Sequence, residues 1–386
     1  MEQIWEALYT AGGMFWKALW ALIFGYAISA GIQVLVTREQ MGKLLGERGG
    51  REAGLAGFFG FISSSCSFAA LAASRSVFVK GAHSTNALAF LIASTNLVIE
   101  LGIVLWVLVG WRFTLGNILL GLLMMLYAYG LTSLWFPDHL AQEAKDHAER
   151  AQQEEGMEAE NDMKGTWREK LVSRKGWVRI AHTFFMEWKM VWKEILFGFT
   201  VAGFIAVLVP QPFWNAVFLL SGDAQATPGV FQVFENALVA PIVAFFTFIG
   251  SMGNVPLAAM LWAKGASFGG VMAFLGADLL AATVIYIHAK YYGWKYALYV
   301  SAVLYACMVA AGITVHYLFA LVGQIPDQRP AVEEMVRFAI DHTLFLNIVF
   351  LAIAAVLLWL HFRGGGGETR EPAERRAEGG APSAAE

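Results

Sequence analysis

Residues 63–67 read Ser63-Ser64-Ser65-Cys66-Ser67, and residues 250–256 read Gly250-Ser251-Met252-Gly253-Asn254-Val255-Pro256. Each string interrupts an apolar stretch, about 54–79 and about 236–263, that is long enough to enter a bilayer. Irregular backbone at that depth persists only where protein or a water-filled cavity satisfies its N–H and C=O groups. The two strings therefore predict segments that break in mid-membrane instead of plain spans.

Working outward, uninterrupted apolar stretches recur near 14–36, 84–110, 113–135, 191–210, 267–289, 294–320 and 343–362. The 386 residues are 58% hydrophobic and 15% charged, with a mean hydropathy of +0.55, more apolar surface than a soluble core of this size uses. The expected class is an all-α polytopic protein of the inner membrane, with lipid as its main partner. The net charge of -3 leaves no basic excess for nucleic acid. Two cysteines, Cys66 and Cys307, exclude a disulfide framework or a CxxC metal site, and no cofactor motif is present. The first apolar run follows Glu2 and Glu6 instead of a basic leader and is read as retained.

The two halves match at fixed offsets. Phe24-Gly25, Ile32 and Val34-Leu35-Val36 correspond to Phe197-Gly198, Ile205 and Val207-Leu208-Val209, displaced by 173. Lys80-Gly81-Ala82 with Phe90-Leu91 corresponds to Lys264-Gly265-Ala266 with Phe274-Leu275, displaced by 184. The chain thus divides into a first membrane repeat at 1–136, a linker at 137–190, a second repeat at 191–320, a loop and final span at 321–363, and a Gly/Ala/Glu/Arg tail at 364–386. The first part of the linker is acidic and Gln-rich. Its second part, from Lys164, mixes basic residues with Trp167, Trp177 and Trp188 and predicts an interfacial amphipathic helix. Its exposed surface could serve a cytoplasmic partner, and the sequence leaves a homo-oligomer open.

Charge sets the orientation. The linker holds nine Lys or Arg residues and the loop after the first span holds Arg38, Lys43, Arg48 and Arg51, which places both in the cytoplasm. The equivalent second-half loop, 211–235, holds none. Equivalent loops on opposite sides mean inverted repeats. That arrangement closes if each broken segment is a re-entrant hairpin, with three full crossings in the first half and four in the second. If both broken segments cross, nine spans result and the C-terminal arginines fall outside.

Broken helices in inverted repeats commonly aim half-helix N-termini at a substrate. The candidate solute-binding residues are Ser63, Ser64, Ser65, Cys66, Ser67, Ser251, Gly253, Asn254 and Pro256. Hydroxyls and free N–H groups suit an oxyanion or polar solute, and a thiolate at Cys66 suits a soft metalloid. The plainer alternative is close helix packing with back-bonded serines. Glu100 and Asp278, acids inside spans of the first and second halves, are the candidate proton carriers, with Asn96 one helical turn from Glu100 as its hydrogen-bond partner. The competing reading for each acid is a static interhelical bond. His288 and His316 read as interfacial anchors, Cys307 as a buried cysteine, and Lys80 and Lys264 as snorkelling cations.

The string Ser64-Ser65-Cys66-Ser67-Phe68-Ala69-Ala70-Leu71-Ala72, followed by Gly81 and Phe90-Leu91-Ile92-Ala93, resembles the signature of the predicted permeases related to ArsP, the trivalent organoarsenical efflux permeases. The second-half counterpart is Gly253-Asn254-Val255-Pro256-Leu257. The resemblance covers about 14–320 and implies two hydrophobic halves around a variable cytoplasmic linker, with efflux of a soft trivalent arsenical as the activity. Ser64 stands where that family has its first cysteine and Ala70 where it has a proline. Losing one of two thiolates weakens arsenic specificity while leaving the permease reading intact.

The leading expectation is a secondary transporter that exports a small thiol-reactive metalloid, organoarsenical or anionic solute in exchange with protons. No Walker A loop is present, so energy comes from a gradient or a partner. A passive channel is the second class and needs no titrating carboxylate. An intramembrane enzyme needs a base beside Cys66 or a serine; the nearest histidine, His83, lies beyond the broken segment, so no enzyme is expected.

Overall fold

The computed structural model describes residues 2–35, 49–63, 67–79, 81–135, 137–154, 172–218, 228–247, 251–326, 329 and 342–363. Among these, every regular element is a helix. The first half contains α1 (Glu2–Leu35), α2 (Gly50–Ser63), α3 (Ser67–Val79), α4 (Ser84–Asn96), α5 (Ile99–Val109) and α6 (Trp111–Trp135), followed by α7 (Asp138–Glu154). The second contains α8 (Arg174–Leu208), α9 (Gln211–Val217), α10 (Val230–Thr247), α11 (Ser251–Ala263), α12 (Phe268–Gly276), a 3-10 turn (Ala277–Leu280), α13 (Ala282–Tyr292), α14 (Trp294–Leu321) and α15 (His342–Arg363).

Among the described residues, six stretches are long and apolar enough to cross a membrane: Glu2–Gly31, Ser84–Val109, Trp111–Trp135, Phe268–Tyr292, Trp294–Leu321 and Thr343–Arg363. The seventh expected span, 191–210, is the end of α8. Its apolar part shortens to Ile195–Leu208 because Lys189, Lys193 and Glu194 precede it. Residues 174–190, expected as an interfacial helix, form the first turns of that same α8. The outward face of α15 carries exposed Phe345, Ile348, Val356 and Trp359, a surface that only lipid or another apolar body would cover well.

Matching sequence builds matching local structure. After α3 and after α11, a glycine in the left-handed region ends the helix: Gly81 at φ 107° and Gly265 at φ 111°. The next residue returns its N–H to the last turn, Ala82 to Val77 O at 3.2 Å and Ala266 to Leu261 O at 3.0 Å. A Cβ would strain that conformation, so Lys-Gly-Ala is a helix stop written twice. The helices that follow start on side-chain caps. His83 Nδ1 accepts from Thr85 N, and Ser267 Oγ accepts from Gly270 N.

The short helices of each broken segment pack on the helix that follows them, α2 and α3 on α4 and α10 and α11 on α12. In the first, Gly60 on α2 lies against Phe90 and Ala93 of α4, while Phe78 at the outer end of α3 packs on Tyr292 and Tyr296, beside the linker. In the second, Asn236 near the start of α10 meets Ser267 at the end remote from the linker. Arg329, also at that remote end, donates to Trp262 O at 2.7 Å and Ala266 O at 3.1 Å and lies 4.2 Å over the Trp262 ring. It thus caps the carbonyls at the outer end of α11.

The stretches 84–109 and 268–292, expected as continuous spans, also break near their middles. At Leu97-Val98 the helix stops, and the side chains before the break bond back to its last turns. Thr95 Oγ1 donates to Leu91 O at 3.1 Å, and Asn96 Nδ2 donates to Ile92 O at 3.3 Å. Asn117 Nδ2 then donates to the Asn96 carbonyl at 2.8 Å, satisfying it where the helix has stopped. The second-half break is the 3-10 turn Ala277–Leu280.

Around these helices, α1 and α8 run antiparallel along each other through small residues. A Cβ on Gly203 would meet Ala7 O at 2.5 Å and Ala11 Cβ at 2.7 Å. In lipid, such close backbone approach is a main source of helix association. Ser29 Oγ donates to Glu187 Oε1 at 3.1 Å across this seam, and α15 joins it through Asn347 Nδ2 to Trp16 O at 2.9 Å. Helix α7 lies across the linker end of α3, α13 and α14. Its buried face is Leu140, Ala144 and Ala148, four residues apart. The Lys295–Glu143 pair at 3.2 Å is exposed on both sides, contributes about 0–1 kcal/mol, and leaves the apolar face as the main anchor.

Candidate functional site

The first turns of α3 and α11 meet near the centre of the helices. Their first residues, Ser67 and Ser251, stand 184 positions apart, the same displacement that relates Lys-Gly-Ala in the two halves. Their Oγ atoms lie 2.8 Å apart. Asp278, on the 3-10 turn, brings Oδ2 to 2.5 Å from Ser251 Oγ and 3.2 Å from Ser67 Oγ. All three side chains are buried.

Three oxygens in mutual contact need three hydrogens to make every edge a hydrogen bond. The two serines supply two. A hydrogen on the Asp278 carboxyl supplies the third and closes the ring; with the carboxylate bare, both hydroxyls turn to it and the Ser67–Ser251 edge has no donor. α3 and α11 both begin at this contact, so an anionic group there is favoured by the N-terminal ends of two helix dipoles. Asp278 is such a group, built in.

Asn254 lies one helical turn beyond Ser251 and is 1% exposed, and among the described residues neither its Nδ2 nor its Oδ1 has a partner. Asp278 Oδ1 is likewise unpartnered. A buried polar atom left unsatisfied costs about 1–3 kcal/mol. Asn254 and Asp278 thus both hold buried polar atoms that no described residue satisfies. Pro256 follows on the same helix and lacks the N–H that would bond Met252 O. Gly253 forms the close approach to α8: a Cβ on Gly198 would lie 2.5 Å from Gly253 Cα.

Ser63 ends α2 and is buried. Ser64, Ser65 and Cys66 lie outside the described residues. Glu100 is 1% exposed in the first turn of α5, where a carboxylate complements the helix dipole. It is covered by α1, since any Cβ on Gly25 would overlap Glu100 Cβ and Cα. Asn96 stands across the helix break from Glu100 and spends its Nδ2 on Ile92 O and on Thr95 Oγ1 at 3.1 Å. Among the described residues, then, Ser67, Ser251 and Asp278 form one contact group, and Glu100 lies under α1 on α5, a helix that packs on α11.

His288 and His316, expected at interfaces, are buried, and His316 Nδ1 accepts from Gly269 N at 3.3 Å at the start of α12. Cys307 is buried in the apolar core. Arg75 has no role in the sequence reading. It is 2% exposed on α3, with its guanidinium 4.0 Å over the Tyr291 ring. An arginine within an apolar stretch was itself the available signal. No group of three or more metal-ligating side chains occurs among the described residues.

Residues 3–317 match the family described as ArsP_1, "Predicted permease". Over 337 residues the chain is 40% identical to "Putative permease Rv2963" of Mycobacterium tuberculosis, covering 86% of this chain and 82% of that protein. No solved structure matches.

Proposed function

We propose, from the premise that the chain belongs to the ArsP_1 predicted permease family, that it is a proton-coupled secondary transporter of the inner membrane, built from inverted repeats. Its cargo is a small thiol-reactive metalloid or organoarsenical, or a small anionic solute, moved outward. The observation that carries the reading is the Ser67–Ser251–Asp278 group. Equivalent residues of the two halves meet at a buried carboxyl, and Asn254 and Asp278 hold buried polar atoms that no described residue satisfies.

That arrangement supports a permease because each half contributes one broken helix to a shared site that neither half holds alone. The approach of the hairpins from opposite ends supports the inversion, as does the absence of basic residues from 211–235. The oxygen ring supports proton coupling: a solute that supplies donors to Asp278 displaces its proton, and reprotonation restores the ring. A soft trivalent cargo uses Cys66, the one cysteine of its broken segment, and takes its remaining contacts from hydroxyls.

The test is a deletion strain, with and without the gene, challenged with arsenite, methylarsenite, antimonite and thiol-reactive organics. The gene should restore growth to at least one of them. Equal growth with and without it on all, in a strain shown to make the protein, removes metalloid and organoarsenical efflux.

A further inference from the structure

The two halves place their equivalent helices differently, and the difference has one direction. Most pairings recur: α2 on α4 as α10 on α12, α4 on α6 as α12 on α14, α5 on α6 as α13 on α14, and α5 with α11 as α3 with α13. The first and long helices of each half, α1 and α8, depart from this. Among the described residues α1 packs along α5 and α8 packs along α11, while the equivalent pairings, α8 with α13 and α1 with α3, are marginal. Both α5 and α11 lie in the half of the protein remote from the linker, so the arm of α1 and α8 covers that half.

The side chains record the same asymmetry. Gly110 and Gly293, which join α5 to α6 and α13 to α14, are displaced by 183, so the counterpart of Glu100 is Thr283. Glu100 is sealed under Gly25 of α1, whereas Thr283 and its neighbour Tyr286 are exposed. Every described residue of α11 from Ser251 to Trp262 is buried. Gly198 of α8 lies on Gly253, whose counterpart is position 69 of α3. Gly25 and Gly198 are themselves counterparts, and each makes a backbone approach that no side chain fits.

We infer that the arm of α1 and α8 has a second docking position related to this one by exchange of the halves. There α1 packs on α3, with Gly25 against position 69, and α8 packs on α13, with Gly198 against Thr283. In the position seen here the remote half is sealed, while on α13 Thr283 and Tyr286 are exposed. In the other, Glu100 opens to the remote side as Thr283 closes. Glu100 then gates by access: it meets one side of the membrane in only one of two states. Two glycines at equivalent places follow directly, since each needs a close approach in both positions. The inference rests on the inverted-repeat transporter reading.

The test uses the full chain in sealed membrane vesicles of both orientations, with a membrane-impermeant maleimide. Reporters are Thr283→Cys and Tyr286→Cys on α13, and Val104→Cys and Leu108→Cys on the buried face of α5; the signal of the parent chain is subtracted. The α13 reporters should label from the linker side about tenfold faster than the α5 reporters label from the remote side. Gly253→Leu obstructs the observed docking of α8 but not the exchanged one. It should raise α5 labelling and lower α13 labelling by about tenfold each. Ala69→Leu, at the counterpart position, should move neither reporter that way and should hold the observed state. A misfolded protein cannot give opposite results for the two substitutions. Labelling of both reporter sets that rises together in Gly253→Leu, or does not change, overturns the inference. Solute flux in the same vesicles is scored separately: flux without reciprocal labelling leaves the transporter reading and removes the moving arm, and reciprocal labelling without flux does the reverse.

Discussion

Replacing Ser67 with Ala removes one corner of the three-oxygen ring, and replacing Ser251 with Ala removes another. Each hydroxyl touches Asp278 Oδ2, and the two touch each other at 2.8 Å. A hydrogen bond to a charged group contributes about 1.5–3 kcal/mol and one between neutral groups about 0.5–1.5 kcal/mol. Each single variant should therefore lose about 1–3 kcal/mol of stability. The double variant should lose less than the sum, by about 0.5–3 kcal/mol, because the Ser67–Ser251 edge is counted in both singles. The assay is a double-mutant cycle on reversible unfolding in mixed detergent micelles titrated with SDS. Strict additivity would mean that the two serines do not touch, and the meeting of the hairpin tips would fall with it.

Three other outcomes follow. Glu100→Gln keeps the size and packing against Gly25 but cannot exchange a proton, so gradient-driven flux should fall at least tenfold while the protein stays folded; unchanged coupled flux removes Glu100 from the mechanism. Cys66→Ala should abolish resistance if the cargo is a soft metalloid and change little if hydroxyls and backbone hold an anion, so the growth assay sorts the two cargo classes. A reporter fused after Arg363 should be cytoplasmic, because the hairpin count puts the end of α15 on the linker side; a periplasmic reporter contradicts the hairpins.

The membrane class and the recurring helix stop were legible because they are written in composition and in short strings. Lys-Gly-Ala is the clearest case: the same three residues build the same helix stop at Gly81 and Gly265. The mid-span breaks at Leu97-Val98 and Ala277–Leu280 were not legible, because neither carries proline and Leu97-Val98 and Leu279-Leu280 are themselves apolar. Those breaks are what set Glu100 at a helix start and Asp278 on a 3-10 turn, so both acids were found by charge while their surroundings were not. Asn96 was paired with Glu100 on helical spacing, and the break between them turns its amide elsewhere. Ser67 and Ser251 could be nominated separately, but their contact required the hairpin tips to meet. Arg75 was visible as a charge in an apolar stretch and was eclipsed by the serine run beside it.

The most direct measurement is gradient-driven uptake by proteoliposomes containing the purified full chain, with an imposed pH gradient and arsenite, methylarsenite or antimonite outside. The wild-type protein should accumulate at least one of these solutes only while the gradient lasts, and Asp278→Asn, which keeps the shape of the ring without its exchangeable proton, should not. Uptake that ignores the gradient and persists in Asp278→Asn would contradict proton coupling at the junction of the two hairpins.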